Sequence, residues 1–237
     1  MRPLRLMEPF PMVSTARVVL LLDADRTLTP TDTGRAVGGR LGLNDRIRAV
    51  FERLDYTDEA FARVVDIWSA VPVESFRAAC DEVAREVQLH AAWNDVLHHL
   101  PSEVTPLVIT SGIGHVWRAI LDRNGLAHVH LFGGCHTDLD HVYVTPLCKS
   151  DFVERLRAAG AYVFVAGDSP IDLAMLEAAD VRLFVADAKG SRRLRERLEG
   201  WSGTRHFVTD HRRFAGLAPM TPKQLLRELR AAAGVHR

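Results

Sequence analysis

Four short apolar runs, VVLLL (18–22), PLVIT (106–110), AYVFVAG (161–167) and VRLFVA (181–186), place the tightest constraint on how this chain can fold. Each has the length of a strand rather than a helix, is rich in Val and Leu, and is apolar at consecutive rather than alternate positions. A strand without a polar face has to be covered on both sides, which is the condition of a parallel sheet between two layers of helices. The stretches between the later runs supply helices. GHVWRAILDRNG (114–125) closes on Asn124-Gly125, KSDFVERLRAAG (149–160) closes on Gly160, and PIDLAMLEAAD (170–180) opens on Pro170. Strand alternating with helix predicts an α/β fold built on a doubly wound parallel sheet.

Two segments break the alternation. Residues 32–99 hold no strand-like run. NDRIRAVFERL, TDEAFARVVDIWSA, VESFRAACDEVAREV and HAAWNDVLHHL instead carry apolar residues at helical spacing. A small all-helical domain is therefore expected at 32–99, inserted after the first strand. The sheet domain would comprise 17–31 and 100–237, with residues 1–16 a leader outside it. The second break, HLFGGCHTDLDHVYVTP (130–146), sets Asp138-Leu139-Asp140 between two extended pieces and predicts a β-hairpin. RHFVTD (205–210) is expected as an edge strand, TPKQLLRELRAAA as a closing helix and SRRLRERLEG as a solvated arginine-rich helix.

Composition removes some classes of function. Lys+Arg and Asp+Glu both total 30, so the formal net charge is zero and there is no electrostatic footprint for nucleic acid or an anionic membrane. No apolar run approaches the ~20 residues of a membrane-spanning helix, and the N-terminus lacks the continuous apolar segment of a signal peptide. Cys80, Cys135 and Cys148 match no metal-ligand spacing and read as reduced thiols. The expectation is a cytoplasmic protein, monomer or homodimer.

The chemistry lies just after the strands, where ligands of open parallel sheets bind. The first run leads into Asp23-Ala24-Asp25-Arg26-Thr27, the second into Thr110-Ser111-Gly112, and the third into Gly167-Asp168-Ser169-Pro170-Ile171-Asp172. Asp23 and Asp168 can offer oxygen ligands to a hard cation such as Mg²⁺. Extended geometry turns Asp23 and Asp25 to one side. A carboxylate kept ionised by a cation suits a nucleophile, and a second carboxyl nearby suits acid–base work. Ser111 and the Gly112 N–H, ahead of a helix, form a place for phosphate oxygens. Lys149, first of only three lysines with Lys189 and Lys223, opens the helix leading into the third strand. Taken singly these are ordinary turns and caps; their joint order at strand ends is not. His128, His130, His136 and His141 gather at the expected hairpin without ligand spacing and read as exposed or packing residues.

DADRT, TSG, the isolated Lys149 and GDSPID, in that order, resemble the four signature motifs of the haloacid dehalogenase superfamily, over roughly 17–31 and 100–200. The resemblance implies a Rossmann-like core with a cap inserted between the first and second motifs, as in phosphoserine phosphatase-like members. It implies that Asp23 forms an aspartyl-phosphate and that Asp25 is the acid and base. Ser111, Gly112 and Lys149 would hold phosphoryl oxygens. Mg²⁺ would be bound by Asp23, the backbone carbonyl of Asp25 and Asp168, with Asp172 supporting and Thr27 bracing the loop. Dehalogenase members lack an acid at the position of Asp25, so a Mg²⁺-dependent phosphatase for a small phosphomonoester is expected, phosphoserine-like or another metabolic intermediate. SGIGHVW (111–117) keeps a nucleoside monophosphate open. A phosphotransferase or mutase would share the aspartyl-phosphate, whereas a phospho-accepting receiver module needs neither the insertion nor Asp25. Asp32, Arg46 and Arg48 are candidate substrate contacts on the cap.

Overall fold

A computed structural model of the chain describes residues 2–3, 16–185, 203–209 and 217–235. VVLLL forms β2 (Val18–Leu22), buried at every position. It lies between β3 (Val104–Ile109) and β6 (Tyr162–Gly167), parallel to both. Beyond β6 come β7 (Val181–Val185), β8 (Thr204–Phe207) and β9 (Ala218–Met220), and beyond β3 comes β4 (His130–Phe132). The seven parallel strands run in the order β4-β3-β2-β6-β7-β8-β9, which puts β2 one place from the middle. The chain builds outward from β2 to β4, then returns to β2's other side at β6. The order therefore reverses between β2 and β6, and the crevice beyond their carboxyl ends is where such a sheet presents a site.

The period of two along β2 divides the core. Val18, Leu20 and Leu22 face one helical layer, and Val19 and Leu21 face the other. The second layer holds α7 (Pro146–Ala158) and α8 (Leu173–Ala178). The first holds α5 (Ala91–His98), α6 (Gly114–Arg123) and α9 (Pro222–Ala232). Between β2 and α5 the chain forms α1 (Thr33–Arg40), α2 (Asn44–Leu54), α3 (Asp58–Ser69) and α4 (Val73–Glu86), the last packed along α6. The sequence gives little sign of α1, whose adjacent Gly38 and Gly39 are poor helix formers. Its start is secured by Asp32, whose side chain accepts from the Arg35 N–H at 2.9 Å. Helix α5 packs on α9, and Trp93, fully buried, stacks on Phe207 of β8 with ring centroids 3.8 Å apart.

Segment 130–146 is not a hairpin. Its first extended piece, β4, pairs with β3 in the main sheet, and its second, β5 (Val142–Tyr143), pairs in parallel with β1 (Arg2–Pro3). One side of β4 is thus paired with β3, and the chain between winds tightly around Asp140, which accepts from the N–H groups of Cys135 (2.9 Å) and His136 (3.1 Å). His128 and His141 are exposed, whereas His136 is fully buried. His136 Nδ1 accepts from the Asp138 N–H at 3.2 Å, which leaves Nε2 to donate to the Val71 carbonyl at 3.0 Å. The Thr137 N–H donates to Ser69 Oγ at 3.1 Å, so this loop grips the α3–α4 turn. RHFVTD is not an edge strand either, because β9 covers it. SRRLRERLEG lies outside the described residues, as do residues 1 and 4–15. Cys80, Cys135 and Cys148 are free and buried. Among the described residues no helix is long and apolar enough to cross a membrane.

Truncating the stacked indole tests the α5–sheet contact. Trp93→Ala is expected to cost about 3–5 kcal/mol in urea unfolding; a loss below about 1 kcal/mol would show that α5 does not anchor there.

Candidate active site

The first residue past β2 stays in the ladder: the Asp23 N–H donates to Ala166 O of β6 at 2.9 Å. This fixes the Asp23 carboxylate beside the turn that follows β6. Helix α7, capped by Thr145, brings in Lys149 within its first two turns, and that side chain is buried to 1% exposure. Lys149 Nζ lies 2.5 Å from Asp23 Oδ1 and 2.7 Å from Asp172 Oδ1. The second oxygen of Asp172 accepts from the N–H groups of Asp168 (3.3 Å) and Ser169 (3.2 Å) and from the Ser169 hydroxyl (2.9 Å). Asp172 is therefore the keystone of its own turn as well as a counter-charge. Gly167 makes room for it, since a Cβ there would lie 2.6 Å from the Asp172 Cβ. Thr27 Oγ1 stands between Asp23 Oδ2 (3.3 Å) and Asp168 Oδ1 (3.5 Å).

One ammonium and three carboxylates in a buried space are short of positive charge. Burial pushes the Asp23 carboxyl up to about 6, with the Asp172 charge adding and Lys149 opposing. Burial, then Asp172 and Asp23, holds Asp168 well above the usual carboxylate range. For Lys149, burial alone would favour loss of its proton, and the charges of Asp172 and Asp23 more than reverse that. Asp23, Asp168 and Asp172 each place an oxygen within 4.8 Å of the others. Asp168 Oδ2 is buried without a hydrogen-bond partner among the described residues. An all-oxygen cluster with an excess of negative charge and an unused buried carboxylate oxygen fits a hard divalent cation such as Mg²⁺.

Asp25 stands in a different environment. Its Oδ1 accepts from the Thr33 N–H at the start of α1 (3.0 Å) and from the Trp117 indole N–H of α6 (3.2 Å). Loss of hydration pushes this carboxyl up to about 7, with the charge of Asp32 adding and Thr33 opposing. Arg26 turns the chain between Asp25 and Thr27 in the left-handed region, φ 61°, at a cost of about 1–2 kcal/mol. Its guanidinium meets Asp32 at 3.0 Å. The Gly112 N–H, expected at phosphate oxygens, donates instead to Thr110 Oγ1 at 3.0 Å. The neighbouring Ser111 Oγ is buried and without a partner among the described residues.

Asp23, Thr27, Lys149, Asp168 and Asp172 are thus in one cluster, and Asp25, Ser111 and Gly112 adjoin it. Arg48 is exposed on α2 and turned to its own neighbours Asp45 and Glu52; Arg46 is exposed on the same helix. Sequence reasoning missed Trp117 and the Thr33 N–H. Trp117 reads as one more apolar residue of an amphipathic helix, and a backbone N–H leaves no mark in a sequence.

The pattern of the haloacid dehalogenase-like hydrolases matches residues 20–177, from within β2 to α8. The chain belongs to this family. A phosphoserine phosphatase solved as a phospho-aspartyl intermediate analogue has a similar structure, with TM-score 0.57 at 16% identity over 77% of this chain and 91% of that one. A probable phosphoserine phosphatase from Vibrio cholerae gives 0.59 at 16% over 95% and 68%, in the same order. A family hydrolase from Salmonella enterica serovar Typhi gives 0.58 at 18% over 77% and 66%. At these identities the likeness is one of fold. No curated protein sequence matches the chain.

The raised Asp25 carboxyl has a consequence for stability. Its value rises from the usual 3.8 in the unfolded chain to about 7 in the folded one, so the metal-free wild type loses stability as pH rises through that window. Asparagine accepts the same two N–H groups and does not titrate. In chelator, the melting temperature of Asp25→Asn is expected to gain on that of the wild type between about pH 5 and about pH 8. A constant difference would contradict the environment described.

Proposed function

We propose that the chain is a Mg²⁺-dependent phosphatase that hydrolyses a small phosphomonoester through an aspartyl-phosphate at Asp23. One observation carries this reading: two carboxyls leave the same strand end into separate settings, Asp23 against a lysine ammonium and Asp25 against two N–H donors. Environments that separate two carboxyls assign them separate tasks. A cation held by Asp23, the Asp25 carbonyl and Asp168 would neutralise phosphoryl charge. An Asp23 oxygen bonds to phosphorus as the ester P–O bond breaks, and Asp25 gives its proton to the departing oxygen. Asp25, now ionised, takes a proton from water as the water oxygen bonds to phosphorus. The aspartyl O–P bond then breaks, leaving Asp23 as carboxylate and releasing phosphate. Lys149, with three N–H donors and two of them engaged, and Ser111, whose hydroxyl has no partner among the described residues, hold phosphoryl oxygens.

The inserted helices α1–α4 act in this reading as the cap, excluding water and selecting the leaving group. The partly exposed Arg26–Asp32 pair, near enough for Asp32 to act on Asp25, offers both signs of charge to a zwitterionic leaving group. A phosphorylated amino acid is the class this favours, in keeping with the phosphoserine phosphatases whose fold the chain shares.

Phosphate release from p-nitrophenyl phosphate, phosphoserine, nucleotide and sugar phosphates tests the reading. Wild type is expected to need Mg²⁺, to lose activity in chelator and to regain it on Mg²⁺ addition. Asp23→Asn should abolish turnover, and Asp25→Ala should lower it by roughly 10²-fold or more. Activity retained by Asp23→Asn would remove the nucleophile assignment.

A further inference from the structure

We propose that Trp117 is a positioning residue for the acid–base carboxyl: its indole N–H, with the Thr33 N–H, fixes Asp25 so that Oδ2 faces the Ser111–Gly112 corner. This rests on the phosphatase reading above. Trp117 is fully buried on α6, in the core layer that also holds Leu22 and Ile113. Unlike the Trp93 N–H, which has no acceptor among the described residues, that of Trp117 has the partner a buried indole N–H usually finds. Here the acceptor is Asp25 Oδ1, 92 residues away in the chain, at 3.2 Å. The N–H of Thr33, first residue of α1, reaches the same oxygen at 3.0 Å. An oxygen that accepts from two N–H groups has no space for a hydrogen of its own, so the carboxyl proton belongs on Oδ2.

Gly112 gives the direction of that second oxygen. A Cβ at this position would lie 2.9 Å from Asp25 Oδ2 and 3.1 Å from Thr110 Oγ1, so only glycine leaves the Oδ2 side open. Ser111, next in the chain, contributes the buried hydroxyl without a partner among the described residues. The indole thus fixes one carboxyl oxygen by hydrogen bonding and so aims the other at the segment that holds the phosphoryl group. In the first step the Oδ2–H bond breaks as the departing oxygen takes the proton, while that oxygen's bond to phosphorus breaks and the Asp23–phosphorus bond forms. Without the indole N–H, the single Thr33 donor leaves the carboxyl free to rotate, and the proton is no longer presented in line.

The signature lies in the leaving group. A p-nitrophenolate departs with little protonation, whereas an alkoxide depends on it. The experiment measures kcat/KM of wild type and Trp117→Phe with Mg²⁺ on p-nitrophenyl phosphate, phenyl phosphate and glycerol 2-phosphate. Phenylalanine keeps an aromatic ring and removes the N–H. The variant is expected to lose roughly 10–100-fold on glycerol 2-phosphate and at most about 3-fold on p-nitrophenyl phosphate, with phenyl phosphate between. An equal loss on all three esters, which is what damaged packing alone gives, overturns the proposal, and so does an unchanged rate on glycerol 2-phosphate. If Trp117→Phe does not fold, 3-benzothienylalanine incorporated at position 117 keeps the bicyclic shape and lacks the N–H. The same graded loss supports the proposal there, and wild-type ratios overturn it. Failure of the phosphatase reading shows separately in the wild type, as no phosphate released from any of the three, and takes the proposal with it.

Discussion

The structure turns on one buried ammonium. Lys149 joins Asp23 at the end of β2 to Asp172 after β6, two residues that lie 126 and 23 positions from it in the chain. Removing the ammonium from such a contact leaves uncompensated carboxylates in a space with little water, a loss typically of about 3–5 kcal/mol. The contact therefore ties α7 to the sheet alongside the apolar layer. It also orders the turn after β6, because the Asp172 oxygen not bonded to Lys149 closes that turn on Asp168 and Ser169. The lysine does not balance the carboxylates. The cluster retains a surplus of negative charge at the point where the sheet opens, and that surplus is what makes the crevice chemically useful.

Topology decides where the surplus falls. Because strand order reverses between β2 and β6, the two neighbouring strand ends diverge into different connections, one to the inserted helices and one to α8. Asp23 and Asp168 each follow one of those ends. The helices inserted after β2 rejoin the core through the packing of α4 on α6 and through polar contacts. Arg123 of α6 reaches the carbonyls of Arg85 and Val87 at the end of α4, and buried His136 reaches Val71.

The sheet and the gathering of most candidate residues at its strand ends were legible in the sequence for a physical reason. Strands covered on both faces have to be continuously apolar, and a site at strand ends has to follow such runs immediately, so Asp23, Ser111 and Asp168 lie within two or three residues of an unmistakable marker. What was not legible depends on contacts with remote chain. Strands β4 and β5 are three and two residues long and find their partners in β3 and β1, so a local pattern of extended, turn, extended was misread as a hairpin. Helix α1 is held by a cap and by packing in spite of its glycines. His136 looks in sequence like its exposed neighbours, and only the Val71 carbonyl and the Phe76 ring, 4.9 Å away, explain its burial. The orientation of Asp25 is set by an indole and a backbone N–H from two separate helices, which no spacing rule encodes.

That last arrangement ties the two carboxyls to different parts of the chain. Asp23 is braced by β6 and α7 and by Thr27, all outside the inserted helices. Asp25 receives one of its two donors from Thr33, the first residue of the inserted helices. In the mechanism proposed above, a change within the insertion would alter the setting of the Asp25 carboxyl while Asp23 and Lys149 keep their contacts. On that reading the choice of alcohol and the uptake of phosphate depend on separable parts of the chain.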